Sequence, residues 1–172
     1  MALTTRDAVP ADAPAIRAIA GRAWPAAYAG LFQAEFIRLV LERTYDPALL
    51  AEAIASPGAI FLVAEDEGQV IGYLHYADGE LNRLYVEPER IGTGAGRMLL
   101  TELERRLEPG TEYVALVRAG NERAVAFYLR HGFETAGHVD GFARFAQTWG
   151  LDLENAGSSD LLMRRRLPGV RS

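Results

Sequence analysis

The segment Glu89-Arg90-Ile91-Gly92-Thr93-Gly94-Ala95-Gly96-Arg97-Met98-Leu99-Leu100 constrains this chain more than any other. Three glycines follow the strand-like run ending at Val86 and precede the helical spacing of Leu99, Leu100, Leu103 and Leu107. Glycine lets a backbone approach a ligand closely, and a helix N-terminus offers unpaired N–H groups with a favourable dipole. Together they make a nest suited to a pyrophosphate. Two common nests do not fit. A nucleoside triphosphate loop needs Lys and then Ser or Thr after its last glycine, where Arg97-Met98 stands. The dinucleotide fingerprint G-x-G-x-x-G fails because the spacing here is G-x-G-x-G. A tight strand-to-helix turn without a ligand is the alternative that the cluster by itself leaves open.

The flanking sequence predicts a mixed α/β order. Leu3 to Ala8 reads as a strand, and Asp12 as the cap of a helix with Ala15, Ile16, Ile19, Ala20 and Ala23 on its apolar face. Helices are expected over Ala34 to Glu42 and Pro47 to Ala55, then strands over Ile60–Glu65, Val70–Tyr76 and Glu80–Val86. The helix after the glycines runs to about Leu107, with a strand at Tyr113–Val117 and a helix at Glu122–Arg130. A closing hairpin joins Phe133–His138 to Asp160–Arg166, with an irregular stretch, Asp140 to Ser159, between its arms. A length of 172 residues suits a single domain, residues 1–172, and 49% hydrophobic residues suffice for its core.

Composition removes several classes of function. Without cysteine there is no disulfide, no thiolate metal site and no cysteine acyl-enzyme. The N-terminal residues lack the apolar core of a signal peptide, and no apolar run is long enough to span a bilayer. The expectation is a cytoplasmic protein without a membrane partner. A net charge of −5 argues against nucleic acid as a partner, and the run Arg164-Arg165-Arg166 reads as the solvated end of the last strand. His75, His131 and His138 have no metal-ligand spacing, so no metal is expected.

A second informative segment is Asn121-Glu122-Arg123-Ala124-Val125-Ala126-Phe127-Tyr128. Asn121 and Tyr128 are two turns apart on one helix face, about 10 Å in rise, so an elongated ligand can meet both. The bland readings are a helix cap for Asn121 and a core aromatic for Tyr128.

Taken together, Glu80 to Leu100 and Asn121 to Phe133 resemble the GNAT superfamily of acyl-CoA N-acyltransferases. The resemblance covers nearly the whole chain. It implies a mostly antiparallel sheet, splayed at the acyl-CoA site, with helices on both faces. By it, Leu84, Tyr85 and Val86 pair with the pantetheine arm, while Ile91, Gly92, Thr93, Gly94, Ala95, Gly96 and Arg97 hold the pyrophosphate. Asn121 matches the asparagine that contacts the cofactor arm, and Tyr128 the acid that protonates the departing thiolate. Glu80 matches the carboxylate that serves some members as general base. One position departs: the family usually has Gln or Arg three residues before Gly94, where Ile91 stands beside Arg90.

The implied activity is transfer of an acetyl group from acetyl-CoA, as cosubstrate, to a primary amine in a ternary complex. A neutral amine must attack, yet an alkylamine has a pKa of about 10.4, so a base such as Glu80, directly or through water, is needed. Alternation places Glu80, Asn82 and Leu84 on one strand face unless a bulge resets the register. The runs Glu42–Tyr45, Glu80–Val86 and Ser159–Met163 are together similar to bacterial polyamine acetyltransferases, which favours a small amine or polyamine over a peptide or protein amine. Phe142, Phe145 and Trp149 with Asp152 and Glu154 read as a lid over an amine or, equally, as a homodimer contact. The competing class is a non-catalytic acyl-CoA sensor or interaction domain, against which the presence of both Tyr128 and Glu80 argues.

Overall fold

A computed structural model describes residues 2–150 and 159–170. Its strands are β1 (Leu3–Asp7), β2 (Ile60–Asp66), β3 (Gln69–Ala77), β4 (Glu80–Val86), β5 (Glu112–Arg118), β6 (Glu134–Val139) and β7 (Asp160–Arg166). Its helices are α1 (Ala13–Tyr28), α2 (Ala34–Thr44), α3 (Pro47–Ala55), α4 (Ala95–Arg106), α5 (Glu122–Arg130) and α6 (Gly141–Gln147). The strands form one mixed sheet in the order β1-β2-β3-β4-β5-β7-β6.

Two apolar layers cover the sheet, one on each face. The first joins α1, α2 and α3 to the sheet through Ile16, Trp24, Phe36, Leu50 and Tyr73, with Ala146 of α6 buried in it. The second packs Leu99, Leu100 and Leu103 of α4 and Tyr128 of α5 on Leu62, Leu74, Tyr113 and Met163. Strand alternation sorts side chains between the layers: Tyr113, Ala115 and Val117 turn to the α4 side, so Val114, Leu116 and Arg118 face α1.

All neighbouring strands are antiparallel except β4 and β5. These two run parallel and share a single register pair, Glu80 with Val114, beside a hydrogen bond from Val114 N–H to Gly79 C=O at 3.1 Å. Beyond that point they diverge, and the edge of β4 toward β5 has no strand partner. The sheet therefore opens like a V in its middle.

The structure changes three details of the sequence reading. Asp12 stands at the start of α1 but does not cap it, because its carboxylate accepts from Val9 N–H at 2.8 Å and from Arg6 at 2.7 Å. The stretch from Asp140 is not wholly irregular, since α6 occupies Gly141–Gln147. Phe142, Phe145, Ala146 and Trp149 recur at helical spacing, and Ala146 at 0% exposure is the point of docking. Third, β4 carries a bulge: His75 pairs with Arg83 but Tyr76 with Leu81, so Asn82 is the extra residue. Leu81 and Leu84 consequently share the α4 face, and Glu80 falls on the opposite one.

Two of the arginines near the C-terminus are ion-paired. Arg164 pairs with Glu134 at 2.6 Å and Arg165 with Glu104 at 3.0 Å. A costlier contact joins the ends of β5 and β7, where Arg118 and Asp160 are 2% and 0% exposed and 3.2 Å apart. Asp160 also accepts from Phe142 N–H at 2.7 Å, and the Arg118 guanidinium lies 4.7 Å over the Phe32 ring. The pair thus ties the start of α6 and the α1–α2 turn to the sheet, while Nε and Nη2 of Arg118 have no partner among the described residues.

Candidate active site

The opening between β4 and β5 is a cleft of about 920 Å³ that reaches both faces of the sheet. Its floor is Leu81, Asn82, Leu84, Tyr85 and Val86 from β4 with Leu116 and Val117 from β5. On one face stand the glycine turn and α5; on the other stand Ala23, Ala26, Ala27 and Tyr28 of α1, with Ala29 and Leu31 of the following turn.

The glycine turn is shaped by backbone conformation. Gly92 and Gly94 have φ of 88° and 96°, in the left-handed region that residues with a Cβ avoid. Gly94 is the N-cap of α4, and the first helical bond runs from Met98 N–H to Gly94 C=O at 2.9 Å. The N–H groups of Ala95, Gly96 and Arg97 are therefore left without an intrahelical acceptor. Thr93 braces the turn by donating to Arg90 C=O at 2.7 Å. Gly92, Gly94, Gly96 and Arg97 line the cleft, whereas Ala95 is buried beneath it at 1% exposure.

Arg90 and Ile91 divide the departure noted in the sequence between them. Ile91 lines the cleft with its side chain largely in solvent, and Arg90 lines it with its guanidinium held by Asp66 at 2.9 Å. Arg97, Arg123 and Arg130 add further cations on this side, against one carboxylate, Glu122, among the described lining residues. Unpaired N–H groups and guanidinium groups at one mouth suit a polyanion.

Asn121 is the N-cap of α5, its side-chain oxygen accepting from Ala124 N–H at 3.2 Å. It lines the cleft as well, so the cap and the site coincide. Tyr128 also lines the cleft, 8% exposed, with its ring 4.9 Å from that of Phe133. Its hydroxyl has no hydrogen-bond partner among the described residues. Burial pushes this phenol well above its ordinary range, and Tyr28 nearby adds to the rise, so it stays protonated. The α5 C-terminus fixes its backbone, Tyr128 C=O accepting from the N–H groups of His131 and Phe133, both at 3.0 Å.

Glu80 does not line the cleft. It sits at the closed end of the V, half-buried, and burial raises its carboxyl above the ordinary glutamate range. Asn82, the bulge residue, lies between it and the open part of β4 and donates to Glu80 C=O at 3.2 Å.

Several residues of the narrower, polyamine-type likeness are engaged in contacts within the fold. Arg83 donates to Thr44 C=O at 3.3 Å, lies 5.1 Å over the Tyr45 ring and donates to His75 Nδ1 at 3.0 Å. Asp160 holds Arg118. Phe142 packs inward, 5.1 Å from Phe32, and Trp149 lies 6.3 Å from Phe36, so neither lines the cleft. Asp152 and Glu154 lie outside the described residues.

The sequence reading missed Tyr28, Leu116 and Val117, and the basic residues Arg123 and Arg130. Nothing local marks Tyr28, which enters the site only because α1 crosses the open strands. Arg123 and Arg130 are seven residues apart, two helical turns, and that spacing is the signal that places them on one side of α5.

Comparison with known proteins agrees with this geometry. The profile of the acetyltransferase (GNAT) domain matches residues 57–135. An uncharacterized N-acetyltransferase of Mycobacterium tuberculosis is 30% identical over 136 residues, 73% of this chain and 85% of its own. A spermidine N(1)-acetyltransferase of Thermoplasma acidophilum is 29% identical over 126 residues, 67% of this chain and 78% of its own. The crystal structure of the PaiA N-acetyltransferase from Thermoplasma acidophilum, in complex with coenzyme A, superposes with a TM-score of 0.79 at 23% identity. That match covers 96% of this chain and 99% of the other. A seven-stranded sheet split between β4 and β5, a glycine-turned helix at the split and relatives of this kind lead to one conclusion: the chain belongs to the GNAT family of N-acetyltransferases.

Proposed function

We propose that this protein transfers an acetyl group from acetyl-CoA to a primary amine by direct attack in a ternary complex. The observation that supports the reading is the cleft itself, with the glycine turn at one mouth and Tyr128 among its lining residues. Leu84, Tyr85 and Val86 offer an unpaired strand edge to the pantetheine arm, and Gly92 to Arg97 take the pyrophosphate. Asn121 meets the arm between them.

The amine nitrogen attacks the thioester carbonyl carbon, the new C–N bond forms and the C–S bond breaks. Backbone N–H groups on the open edge of β4 polarise the carbonyl oxygen. The departing thiolate takes the Tyr128 proton, and the nitrogen loses its proton through water to Glu80. A raised carboxyl at Glu80 makes a stronger base once ionised. Tyr128 stays protonated, so its proton is available to the departing thiolate.

A small amine, polyamines included, is the favoured acceptor. Support comes from the relatives, one of which is named a spermidine N(1)-acetyltransferase, while others are named a peptidyl-lysine N-acetyltransferase (Escherichia coli) and an N-alpha-acetyltransferase (Mycobacterium tuberculosis). The deciding experiment is release of free thiol from acetyl-CoA in the presence of spermidine, butylamine or an alanyl tripeptide, read at low and high salt. Thiol release that depends on an amine is the expected result. A polycation preference that weakens with salt supports the polyamine assignment, a tripeptide preference overturns it, and no release with any amine overturns the transfer reaction.

A further inference from the structure

On the α1 side of the sheet the cleft ends at two phenols that the transfer chemistry above does not use. Tyr28, the last residue of α1, and Tyr85 of β4 both line the cleft, and their hydroxyl oxygens lie 2.9 Å apart. One proton lies between these oxygens. The second hydroxyl proton and the remaining lone pairs have no partner among the described residues. Burial keeps both groups neutral, with Tyr28 pushed up to about 12 and Tyr85 well above the ordinary phenol range.

The placement favours a ligand rather than a brace. The α1–α2 turn is already anchored by Tyr28 C=O, which accepts from Leu31 N–H at 2.9 Å and Phe32 N–H at 3.1 Å. It does not depend on the hydroxyl. The cationic mouth and the glycine turn lie on the other face, with α4 and α5. An anionic cofactor held there brings its thioester up between the splayed strands and leaves the α1 side to the second substrate. What that side presents is a wall of Ala23, Ala26 and Ala27 and the phenol pair.

We infer that the Tyr28–Tyr85 hydroxyl pair binds the acceptor, a primary amine whose N–H donates to a phenol oxygen while its carbon stem lies along the alanines of α1. The chemistry suits the attack. A neutral amine needs its lone pair free for the carbonyl carbon, and a phenol oxygen that accepts an N–H leaves it so. Both phenols stay protonated, so no phenolate is present to take the amine's proton, which stays available to the base.

This inference rests on the acyltransferase reading, so its test is made on binding as well as turnover. Spermidine, butylamine and an alanyl tripeptide are titrated calorimetrically into protein saturated with coenzyme A, for wild type, Tyr28→Phe and Tyr85→Phe. Tyr28→Phe keeps the ring and is expected to weaken the best-bound amine about tenfold, with coenzyme A affinity unchanged, the scale of one buried hydrogen-bonding group. Tyr85→Phe leaves the Tyr28 oxygen in place and is expected to cost roughly two- to threefold; it carries the test if Tyr28→Phe does not fold. In turnover the same pattern is a rise in the Michaelis constant for the amine but not for acetyl-CoA. Equal amine affinity in wild type and Tyr28→Phe overturns the assignment. So does a parallel loss of coenzyme A affinity, or the absence of amine binding to the wild type. Amine binding that is lost in Tyr28→Phe but releases no thiol in the wild type supports the pair and sinks the transfer reaction instead.

Discussion

The two mouths of the cleft are built by different means. On the α4 and α5 side the site is local: Gly92 to Arg97 are consecutive, and Asn121 and Tyr128 sit on one nine-residue helix and its cap. The groups that act there are mostly backbone N–H, and their placement follows from positive φ and a helix start. On the α1 side the site is assembled from distant pieces, with Tyr28 meeting Tyr85 across 57 positions and Arg118 meeting Asp160 across 42. Here side chains do the work, and each depends on packing. A motif can encode the first mouth in a short window; only a folded sheet creates the second.

Variants at the two mouths should therefore fail differently. The largest effect is expected at the reacting centre between them. Tyr128→Phe keeps the packing on Phe133 and removes the proton donor, so kcat should fall by roughly 10²–10⁴ with the acetyl-CoA Michaelis constant little changed. A wild-type kcat with chemistry rate-limiting returns Tyr128 to the role of a core aromatic.

Next is the tie behind the α1 mouth. Arg118→Met strands the Asp160 carboxylate at 0% exposure and should destabilise the fold by about 3–5 kcal/mol in chemical denaturation. Arg118→Met with Asp160→Leu should regain part of that loss, because an apolar pair escapes the desolvation penalty of two charges while Phe142 N–H loses its acceptor. If the double variant is no more stable than the single one, the pair is not the source of the cost. Coenzyme A affinity should hold in the double variant, since the pair touches only the α1 side.

The α4 mouth is broken by Gly94→Asp, which puts a Cβ at φ 96° and a negative charge into the nest. Wild type at a hundred times its dissociation constant for acetyl-CoA gains about 2.7 kcal/mol, and the variant should gain nothing. A thermal-shift series reads both. A shift preserved in the variant places the pyrophosphate elsewhere.

The smallest effect concerns pH. Burial raises the Glu80 carboxyl, and the base form exists only above its folded pKa. Wild-type kcat/KM should therefore fall as pH drops through a value above the ordinary glutamate range. Glu80→Gln should lose that acid limb, and its deficit should shrink as pH approaches the amine's own pKa, about 10.4 for an alkylamine. The raised value also means that Glu80 favours folding when protonated and withdraws that contribution as pH rises through the folded pKa, so Glu80→Gln should be relatively more stable at high pH. An unchanged pH profile removes Glu80 from the mechanism and leaves water or another group as the base.

Much of this was legible in the residues, and the reasons are particular. The glycine turn, the leucine stripe of α4 and the strand alternation from Ile60 to Val86 are periodic patterns that local physics enforces, so the α/β order and the nest follow from sequence. The α6 helix was not read from the sequence, which gave an irregular stretch there, although Phe142, Phe145, Ala146 and Trp149 recur at helical spacing. The face of Glu80 was not legible, because one extra residue at Asn82 inverts every side chain before it and alternation carries no mark of a bulge. The polyamine-type likeness shows the same limit from the other direction. Arg83, Thr44 and Tyr45 stand together in the fold, joined by a hydrogen bond and a cation over a ring, a contact that the spacing in the sequence does not show.

By itself, then, the sequence determined what backbone conformation and short-range periodicity can specify: the strands and helices, the nest of Gly92 and Gly94, and Asn121 with Tyr128 on one helix face. Tertiary structure alone decided that β4 and β5 part after a single register pair, that Tyr28 reaches Tyr85 across the opening, and that Glu80 stands behind the cleft rather than in it. The division follows range. Conformational preference acts within a few residues, whereas a cleft between strands is set by which distant side chains pack beneath it.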